Sequence, residues 1–328
     1  MIKISDHSLD TMAKKFGTQM DALTFVGGGG EESDGILYGY RSGSRDMVLK
    51  IMAVPKKDAD RAFKEMNERT RFINYLGTHG MDIAYPVMNA NNNLIETLDT
   101  GDNILVAYTM ERIRGSVPGV NDFTKDFHTR YGAMIGKLHR LTKDYPTWKG
   151  NAQEKDSDAM NWEGEWNSFY SWCKDVEVKQ AWKSLKRELS ELPINRDTFG
   201  FIHNDPHINN IMLEQDRIVL IDFDVACYHW FANDIAIASQ FLLFSTAGGM
   251  KEPFKDMDSL KSFYTHFMNG YETENHLDAL FLNNLELFIN YRRLLMYTVS
   301  QSWLESNPQE NEAWKRMILN SPQLHLFN

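Results

Sequence analysis

The first third of the chain has short apolar runs separated by turn residues, which is typical of β-strands. Between 59 and 76 the pattern changes, because apolar residues recur every third or fourth position, as they do on one face of a helix. A turn at 89–93 is expected to join two further strands. The strand-like runs are 23–26, 36–40, 47–54 and 104–110. This part of the chain is therefore predicted to be a sheet with one helix.

Helical spacing dominates the rest of the chain. The predicted helices cover 126–141, 161–192 (two helices), 235–244, 255–271 and 278–304. A short β excursion interrupts them, with strand-like runs at 199–203, 211–213 and 218–223. A β-rich part followed by a mainly helical part predicts an α+β, bilobal fold. We expect an N-lobe over 1–111 and a C-lobe over 112–328, with a hinge near residue 111.

Composition places the chain among soluble globular proteins, with 42% hydrophobic and 24% charged residues in 328. No run approaches the roughly 18 apolar residues of a membrane span, and the first ten residues lack the apolar stretch of a signal peptide. Only two cysteines occur, Cys173 and Cys227, too few for a disulfide framework. These features predict a cytoplasmic protein without a membrane partner.

The net charge of −10 is concentrated in one stretch, because 201–286 carries 13 Asp and Glu against 4 Lys and Arg. Such a field disfavours nucleic acid, and it either attracts a cationic small molecule or serves solubility, as acidic surfaces commonly do. Acidic residues of this stretch are expected to face, at least in part, the side where that molecule enters. They include Asp234, Glu272, Glu274 and Asp278.

The chemistry-bearing residues cluster between 203 and 224. Asp205 and Asn210 lie five positions apart in a short loop, and Asp222 and Asp224 follow the next strand. A hairpin between these segments would bring Asn210 beside Asp222, and their oxygens suit Mg²⁺, which binds few carboxylates together with phosphates. Asp205 would stay free to orient a hydroxyl nucleophile. Metal, positioned base and phosphates are the parts that phosphoryl transfer requires.

This stretch resembles the His-Gly-Asp-x4-Asn … Ile-Asp-Phe/Trp pattern of the aminoglycoside phosphotransferase-like kinases, which include choline and homoserine kinase relatives. Further landmarks follow in family order: Leu49-Lys50-Ile51, Glu68, the hinge-like segment from Met110 to Gly115, the Leu-His-Arg segment at His139, and Asn233-Asp234-Ile-Ala. The resemblance covers most of the chain and implies a protein-kinase-like fold.

Carried over residue by residue, the resemblance implies Asp205 as catalytic base and Asn210 with Asp222 as metal ligands. It implies that Lys50 holds the nucleotide phosphates and pairs with Glu68, with Glu65 as the alternative partner one turn earlier. These assignments imply ATP, or alternatively GTP, and Mg²⁺ as cofactors.

The resemblance also implies a nucleotide-binding hinge, with backbone groups of Glu111 and Ile113 at the adenine edge and Met110 behind the base. Gly28 and Gly29 are assigned to the phosphates by position alone, because their spacing is not that of protein kinases.

Supporting roles are expected for His203, Asp224 and Asp234. His203 would hydrogen-bond the loop backbone and Asp234 would anchor the loop, while Asp224 is either a second metal contact or a neighbour. The chain departs from the family pattern where Asn204 replaces glycine. Asn tolerates left-handed backbone conformations, so the turn can persist.

The sequence therefore predicts a kinase that moves the γ-phosphate of ATP to a hydroxyl of a small, amine-bearing acceptor. A protein Ser/Thr kinase of the same fold is one alternative. A metallohydrolase using His203, Asp205, His207 and Asp222 is another, and a non-catalytic binding protein is the third.

Overall fold

A computed structural model describes residues 4–30, 35–146, 160–245, 257–320, 324, 326 and 327. The chain divides into two compact units. The first comprises Met1–Ser116 and Met212–Asp224, and the second comprises Val117–Ile211 and Val225–Asn328. The first unit is built on an antiparallel sheet and the second is mainly helical. The predicted α+β class is confirmed.

Five antiparallel strands and two helices form the body of the first unit. The strands are β1 (Thr24–Gly28), β2 (Ile36–Ser42), β3 (Arg45–Pro55), β4 (Glu96–Asp99) and β5 (Asn103–Glu111), and the helices are α1 (Asp6–Lys15) and α2 (Ala59–Thr78). The strand order is β1-β2-β3-β5-β4. The central strand β3 is thus hydrogen-bonded on both sides.

The two faces of this sheet follow from the two-residue period of a strand. Leu49 and Ile51 of β3 pack on one face with Met12 and other residues near α1. Lys50 lies between them and therefore points to the opposite face. There its cross-strand neighbour Tyr108 packs with residues of α2. Because side chains alternate between the two faces of β3, Lys50 lies among apolar side chains on the face opposite Leu49 and Ile51.

A hairpin of β7 (Ile211–Glu214) and β8 (Arg217–Leu220) completes the first unit. Its turn places Gln215 at a φ of 55°. Leu213 bridges to Ser116, and Leu220 bridges to Ile83, so the hairpin is tied to the first unit at both strands. Asp222 and Asp224, which follow β8, belong to this unit for that reason.

Nine helices and a two-stranded antiparallel sheet are described in the second unit. The helices are α3 (Lys125–Lys143), α4 (Trp162–Trp172), α5 (Val176–Ser190), α6 (Phe231–Ala238), α7 (Gln240–Ser245), α8 (Met257–Tyr271), α9 (Ala279–Asn283), α10 (Leu285–Glu305) and α11 (Pro308–Leu319), and the strands are β6 (Phe199–Ile202) and β9 (Cys227–Trp230). Within the described ranges, no helix has the length and apolar character needed to span a bilayer.

Glycines allow α3 and α8 to approach closely. A Cβ at Gly132 of α3 would overlap the backbone oxygen of Phe267, and one at Gly270 of α8 would overlap that of Thr129. Side chains of any size would separate the helices, and interiors packed at crystal density tolerate little such displacement. This contact fixes His139, which lies further along α3, beside Tyr271 of α8.

Several sequence predictions about the first unit need correction. Helix α1 was not expected, although Ser5 caps it by accepting a hydrogen bond from the N–H of Ser8. No strand precedes the turn at 89–93, because residues 81–88 make only isolated bridges at Ile83 and Pro86. Proline lacks the N–H that would continue such a ladder.

In the second unit, two helices predicted as continuous are broken. The run 235–244 is α6 and α7, separated at Ser239, whose hydroxyl donates back to the carbonyl of Ala236 at 2.9 Å. The run 278–304 is α9 and α10, separated at Asn284, whose amide donates to Leu280 O at 2.7 Å. Short polar side chains compete with the helical backbone in this way. Helices 126–141 and the pair in 161–192 are confirmed, β9 and α11 were missed, and 255–256 lie outside the described residues.

Candidate active site

Lys50 is held as a buried cation within the first unit. Its side chain is 10% exposed, and its Nζ lies 3.5 Å from Asp222 Oδ1 and donates a hydrogen bond to Asp224 Oδ2. Burial lowers the pKa of Lys50, but Tyr108 and the two carboxylates outweigh it, and the net pKa is raised. The amine therefore stays charged at neutral pH.

The two carboxylates beside Lys50 differ in exposure. The side chain of Asp224 is 18% exposed and that of Asp222 is 48% exposed. Burial raises the pKa of Asp224, against the opposing effect of Lys50. Asp224 is thus the buried ion-pair partner of Lys50, and Asp222 presents the more accessible carboxylate. Asp222 adopts a φ of 64°, a left-handed conformation that non-glycine residues avoid outside constrained sites.

The expected partner of Lys50 on α2 stays a prediction. Glu68 lies on α2, and Glu65, the alternative, forms an ion pair with Arg69 at 3.6 Å. The structure adds Asp222 and Asp224 as Lys50 partners that the sequence analysis did not assign to it.

The segment expected to meet adenine follows β5. Met110 and Glu111 end that strand, and Ile113 lies just beyond it. The N–H of Arg112 donates to Asp46 O at 2.8 Å, and the N–H of Arg114 donates to Glu214 Oε1 at 2.7 Å. These bonds fix the backbone on both sides of Ile113.

Gly28 and Gly29, expected at the nucleotide phosphates, have φ values of 81° and 79°. Glycine is the residue that adopts such angles without strain. The strand-like run predicted at 23–26 is β1, which begins at Thr24 and continues through Gly28.

The loop that carries Asp205 belongs to the second unit and is held by Asp234. Its carboxylate accepts hydrogen bonds from His203 N at 3.1 Å and from Asn204 N at 2.7 Å. Nε2 of His139 lies 3.2 Å from the same carboxylate. Burial lowers the pKa of His139, against the raising effect of Asp234, so the imidazole is neutral and donates through Nε2.

His203 also shapes the loop, since its Nδ1 accepts the N–H of Asp205 at 3.1 Å. Asp234 is fully buried, so the expectation that it faces the acceptor is wrong. The other three acids named for that role have local partners in the second unit. Glu272 contacts His276 at 2.7 Å, Glu274 contacts Arg140 at 2.9 Å, and Asp278 accepts from Leu280 N at 2.7 Å.

Asn204 takes the place of the family glycine with a φ of 68°. Its side chain is tethered on both sides. The amide nitrogen donates to Glu165 Oε2 and, at 3.2 Å, to Val225 O, while the amide oxygen accepts from Asn233 at 2.7 Å. These hydrogen bonds compensate for the strain of a left-handed backbone.

Asp205 has charged and polar neighbours at both oxygens. Arg292 Nη2 donates to Oδ1 at 2.6 Å, and Oδ2 lies 3.4 Å from His207 Nε2 and 3.3 Å from Asn210 Nδ2. Burial raises the pKa of Asp205, but the hydrogen bond from His207 and the charges of Arg292, His207 and His203 outweigh it, and the net pKa is lowered. Asp205 is thus ionised at neutral pH.

Asn210 is oriented by the same loop. Its Nδ2 donates to the backbone oxygen of Asp205 at 2.9 Å, so the amide nitrogen is the engaged end of the side chain. An amide oxygen is a ligand that hard cations accept. Among the described residues, no group of three or more His, Cys, Asp or Glu could hold a metal ion.

Three residues around the loop were missed by the sequence analysis. Arg292 lies on α10, Glu165 lies on α4, and Tyr131 of α3 donates through its hydroxyl to Pro206 O. They are far from the loop in sequence. The sequence does contain a signal for Arg292, which occupies a position on the buried side of an apolar helix. Because arginine is seldom buried unpaired, such a position indicates a charged partner.

Comparison with known proteins identifies the class. Residues 28–272 match the family model described as "Phosphotransferase enzyme family". The chain belongs to this family, and it is a small-molecule kinase that uses a hydroxyl acceptor.

An amicoumacin kinase of Bacillus subtilis (strain 168) is 26% identical over 328 residues, covering 96% of this chain and 92% of that kinase. Among solved structures, an amicoumacin kinase in complex with AMP-PNP, Ca²⁺ and Ami has a TM-score of 0.82 at 23% identity, covering 99% of this chain and 98% of that one. A microcompartment-associated aminopropanol kinase has a TM-score of 0.65 at 17% identity, covering 96% and 98%. The protein-kinase-like fold is confirmed.

Proposed function

We propose that this chain uses ATP and Mg²⁺ to phosphorylate a hydroxyl of an amine-bearing small molecule of the amicoumacin type. The observation that carries the acceptor class is the end-to-end similarity to an amicoumacin kinase, which includes the second unit and its Asp205 loop. Fold alone does not define an acceptor, since one kinase scaffold serves many.

Asp205 is the proposed catalytic base. An ionised carboxylate beside the acceptor orients its hydroxyl, whose oxygen forms the new bond to the γ-phosphorus while the bond to the leaving ADP breaks. The hydroxyl proton passes to Asp205. The lowered pKa makes Asp205 a weak base, which suits phosphoryl transfer, where positioning and charge stabilisation provide most of the rate.

Asn210 and Asp222 are the proposed Mg²⁺ ligands. The fit rests on their donor atoms: Asn210 has its Nδ2 engaged and its Oδ1 available, and Asp222 has a half-exposed carboxylate. Two protein oxygens with phosphate oxygens and water are typical of Mg²⁺. The bound ion would neutralise phosphate charge. Asp224, paired with Lys50, is proposed as a neighbour rather than a ligand.

Nucleotide binding is assigned to the first unit. Lys50 supplies a permanent positive charge for the phosphates, with Glu68 proposed as an additional partner of its amine. Backbone groups of Glu111 and Ile113 are proposed to bind the adenine edge, with Met110 behind the base. Gly28 and Gly29 are proposed to let the backbone approach the phosphates. ATP is the expected nucleotide and GTP the alternative to compare.

The amine of the acceptor is supported by relatives rather than by the acidic side chains once expected to meet it. The aminopropanol kinase among the structural neighbours is named for an alcohol that bears an amine.

A direct transfer assay tests this function. The purified chain is incubated with Mg²⁺-ATP and, separately, amicoumacin, aminopropanol, homoserine and choline, and each compound is analysed by mass spectrometry for an added phosphoryl group. We expect transfer to amicoumacin with the highest kcat/KM, and a rate at least ~10²-fold lower with Asp205→Asn. Preference for homoserine or choline would overturn the acceptor class but not the kinase. No transfer from ATP or GTP to any of the four would contradict the proposal.

A further inference from the structure

Arg292 is a buried arginine of α10 that contacts the proposed base directly. The residue is 9% exposed, its Nη2 donates to Asp205 Oδ1 at 2.6 Å, and its Nε donates to Gln240 Oε1 at 2.7 Å. The guanidinium thus bridges α7, α10 and the Asp205 loop. Nothing in the motif that identifies the family includes this residue.

The two oxygens of Asp205 are held unequally. Oδ1 receives the short, charge-assisted bond from Arg292, whereas Oδ2 has longer contacts of 3.3 Å to Asn210 and 3.4 Å to His207. The bond at Oδ1 joins two charged groups at a short distance, and such bonds are the strong ones among hydrogen bonds. The rotation of the carboxylate is therefore set at Oδ1, and Oδ2 is the oxygen that can exchange its weaker contacts for an acceptor hydroxyl.

The chemistry of the guanidinium suits this task. Arginine does not lose its proton in proteins, so it cannot compete with Asp205 for the proton of the hydroxyl. Its planar fork presents Nε and Nη2 in fixed geometry, which lets one side chain hold Asp205 while Gln240 holds the side chain itself. A lysine offers charge without that fork.

We propose that Arg292 is a positioning residue for phosphoryl transfer, holding Asp205 by Oδ1 so that Oδ2 faces the acceptor hydroxyl. The inference rests on the proposed function of Asp205 as base. Arg292 is assigned no contact with the nucleotide. Its replacement should therefore lower turnover without weakening ATP binding.

The test uses Arg292→Met, Arg292→Lys and Gln240→Leu, with Arg293→Met as the matched control. Arg293 is also buried on α10, at 3% exposure, but its Nη1 donates to Asn290. We measure kcat and KM with amicoumacin and ATP, or with whichever panel compound the wild type phosphorylates best. The Kd of AMP-PNP and urea unfolding are measured for every variant.

For Arg292→Met we expect kcat per folded molecule to fall at least ~10²-fold, the effect of a misplaced catalytic group. AMP-PNP affinity should stay within about threefold of wild type, because Arg292 is assigned no contact with the nucleotide. Arg292→Lys should recover part of kcat, and Gln240→Leu should lose about fivefold because only the tether of the guanidinium is removed. Arg293→Met should keep kcat within about threefold, even where its stability falls.

Near-normal kcat in Arg292→Met would overturn the inference. So would equal losses of kcat in Arg292→Met and Arg293→Met, or a loss of AMP-PNP affinity that parallels kcat. If Arg292→Met does not fold, Arg292→Lys and Gln240→Leu decide, and normal kcat in both would count against the proposal. Failure of the proposed function is recognised separately, because the wild type itself would then transfer no phosphate.

Discussion

The backbone N–H of Asn204 donates to the carboxylate of Asp234 at 2.7 Å, and both residues are buried. Asp234 comes 30 positions later in the chain, at the start of α6, yet it sets the shape of the loop before Asp205. The same carboxylate accepts from His203 N and meets His139. Asp234 therefore shapes the loop that positions the proposed base Asp205, and it is not one of the charges available to an acceptor.

Removal of this anchor should destabilise the second unit. Asp234→Ala leaves the N–H groups of His203 and Asn204 without their acceptor, which costs about 3 kcal/mol of unfolding free energy. Glu274→Ala is the control, because Glu274 forms a partly exposed pair with Arg140 and should cost less than about 1 kcal/mol. Urea denaturation measures both variants, and equal small losses would show that the loop does not depend on Asp234.

Asn204 should be replaced more easily by glycine than by alanine. Both variants lose the hydrogen bonds to Glu165 and Asn233, but only alanine keeps a Cβ at a φ of 68°. The left-handed conformation makes Asn204→Ala less stable than Asn204→Gly by about 1 kcal/mol. Thermal unfolding of the two variants gives the comparison. The reverse order would mean that the loop has relaxed to another backbone conformation.

Replacement of Lys50 should strongly impair the use of ATP, although the side chain is only 10% exposed. Lys50→Met removes a buried positive charge from Asp222 and Asp224, and kcat/KM for ATP should fall by at least ~10², as for loss of one preorganised electrostatic contact. Lys56→Met is the control, since Lys56 forms an exposed pair with Asp99. Steady-state kinetics decides, and unchanged kcat/KM in the folded fraction of Lys50→Met would make Lys50 structural.

His229 should make stability depend on acid pH. Burial lowers the pKa of this histidine to about 3 from 6.5, and its Nε2 has no hydrogen-bond partner in the described part of the chain. Below pH 6.5 the unfolded chain therefore takes up a proton that the folded chain refuses. The stability present above that pH is lost as pH falls towards 3, by about 2 kcal/mol at pH 5.

The comparison that isolates this effect uses His229→Phe and His276→Gln. His276 is the control position, because its side chain is 81% exposed. His229→Phe should reduce the pH dependence of unfolding between about pH 7 and pH 5 by the share of one histidine, about 2 kcal/mol, whatever its stability at pH 7. A variant that keeps the full wild-type slope would remove His229 as a cause.

The sequence predicted what local pattern and motif encode. The apolar run 47–54 predicted the strand that carries Lys50, and the spacing of Asp205, Asn210 and Asp222, with the other landmarks, predicted the family. Sequence could not place Arg292 or Glu165 at the loop, because contacts across 87 and 39 residues depend on how helices pack. The break at Ser239 was missed for a local reason, since its hydroxyl bond to Ala236 competes with an apolar pattern that continues unchanged.

The central claim is that Asp205 directs transfer of phosphate from ATP to a small-molecule hydroxyl. The most direct test is mass spectrometry of amicoumacin after incubation with Mg²⁺-ATP and either the wild type or Asp205→Asn. We expect phosphorylated amicoumacin with the wild type and a rate at least ~10²-fold lower with the variant, while AMP-PNP binding persists. Equal rates of phosphorylation by the two proteins would contradict it.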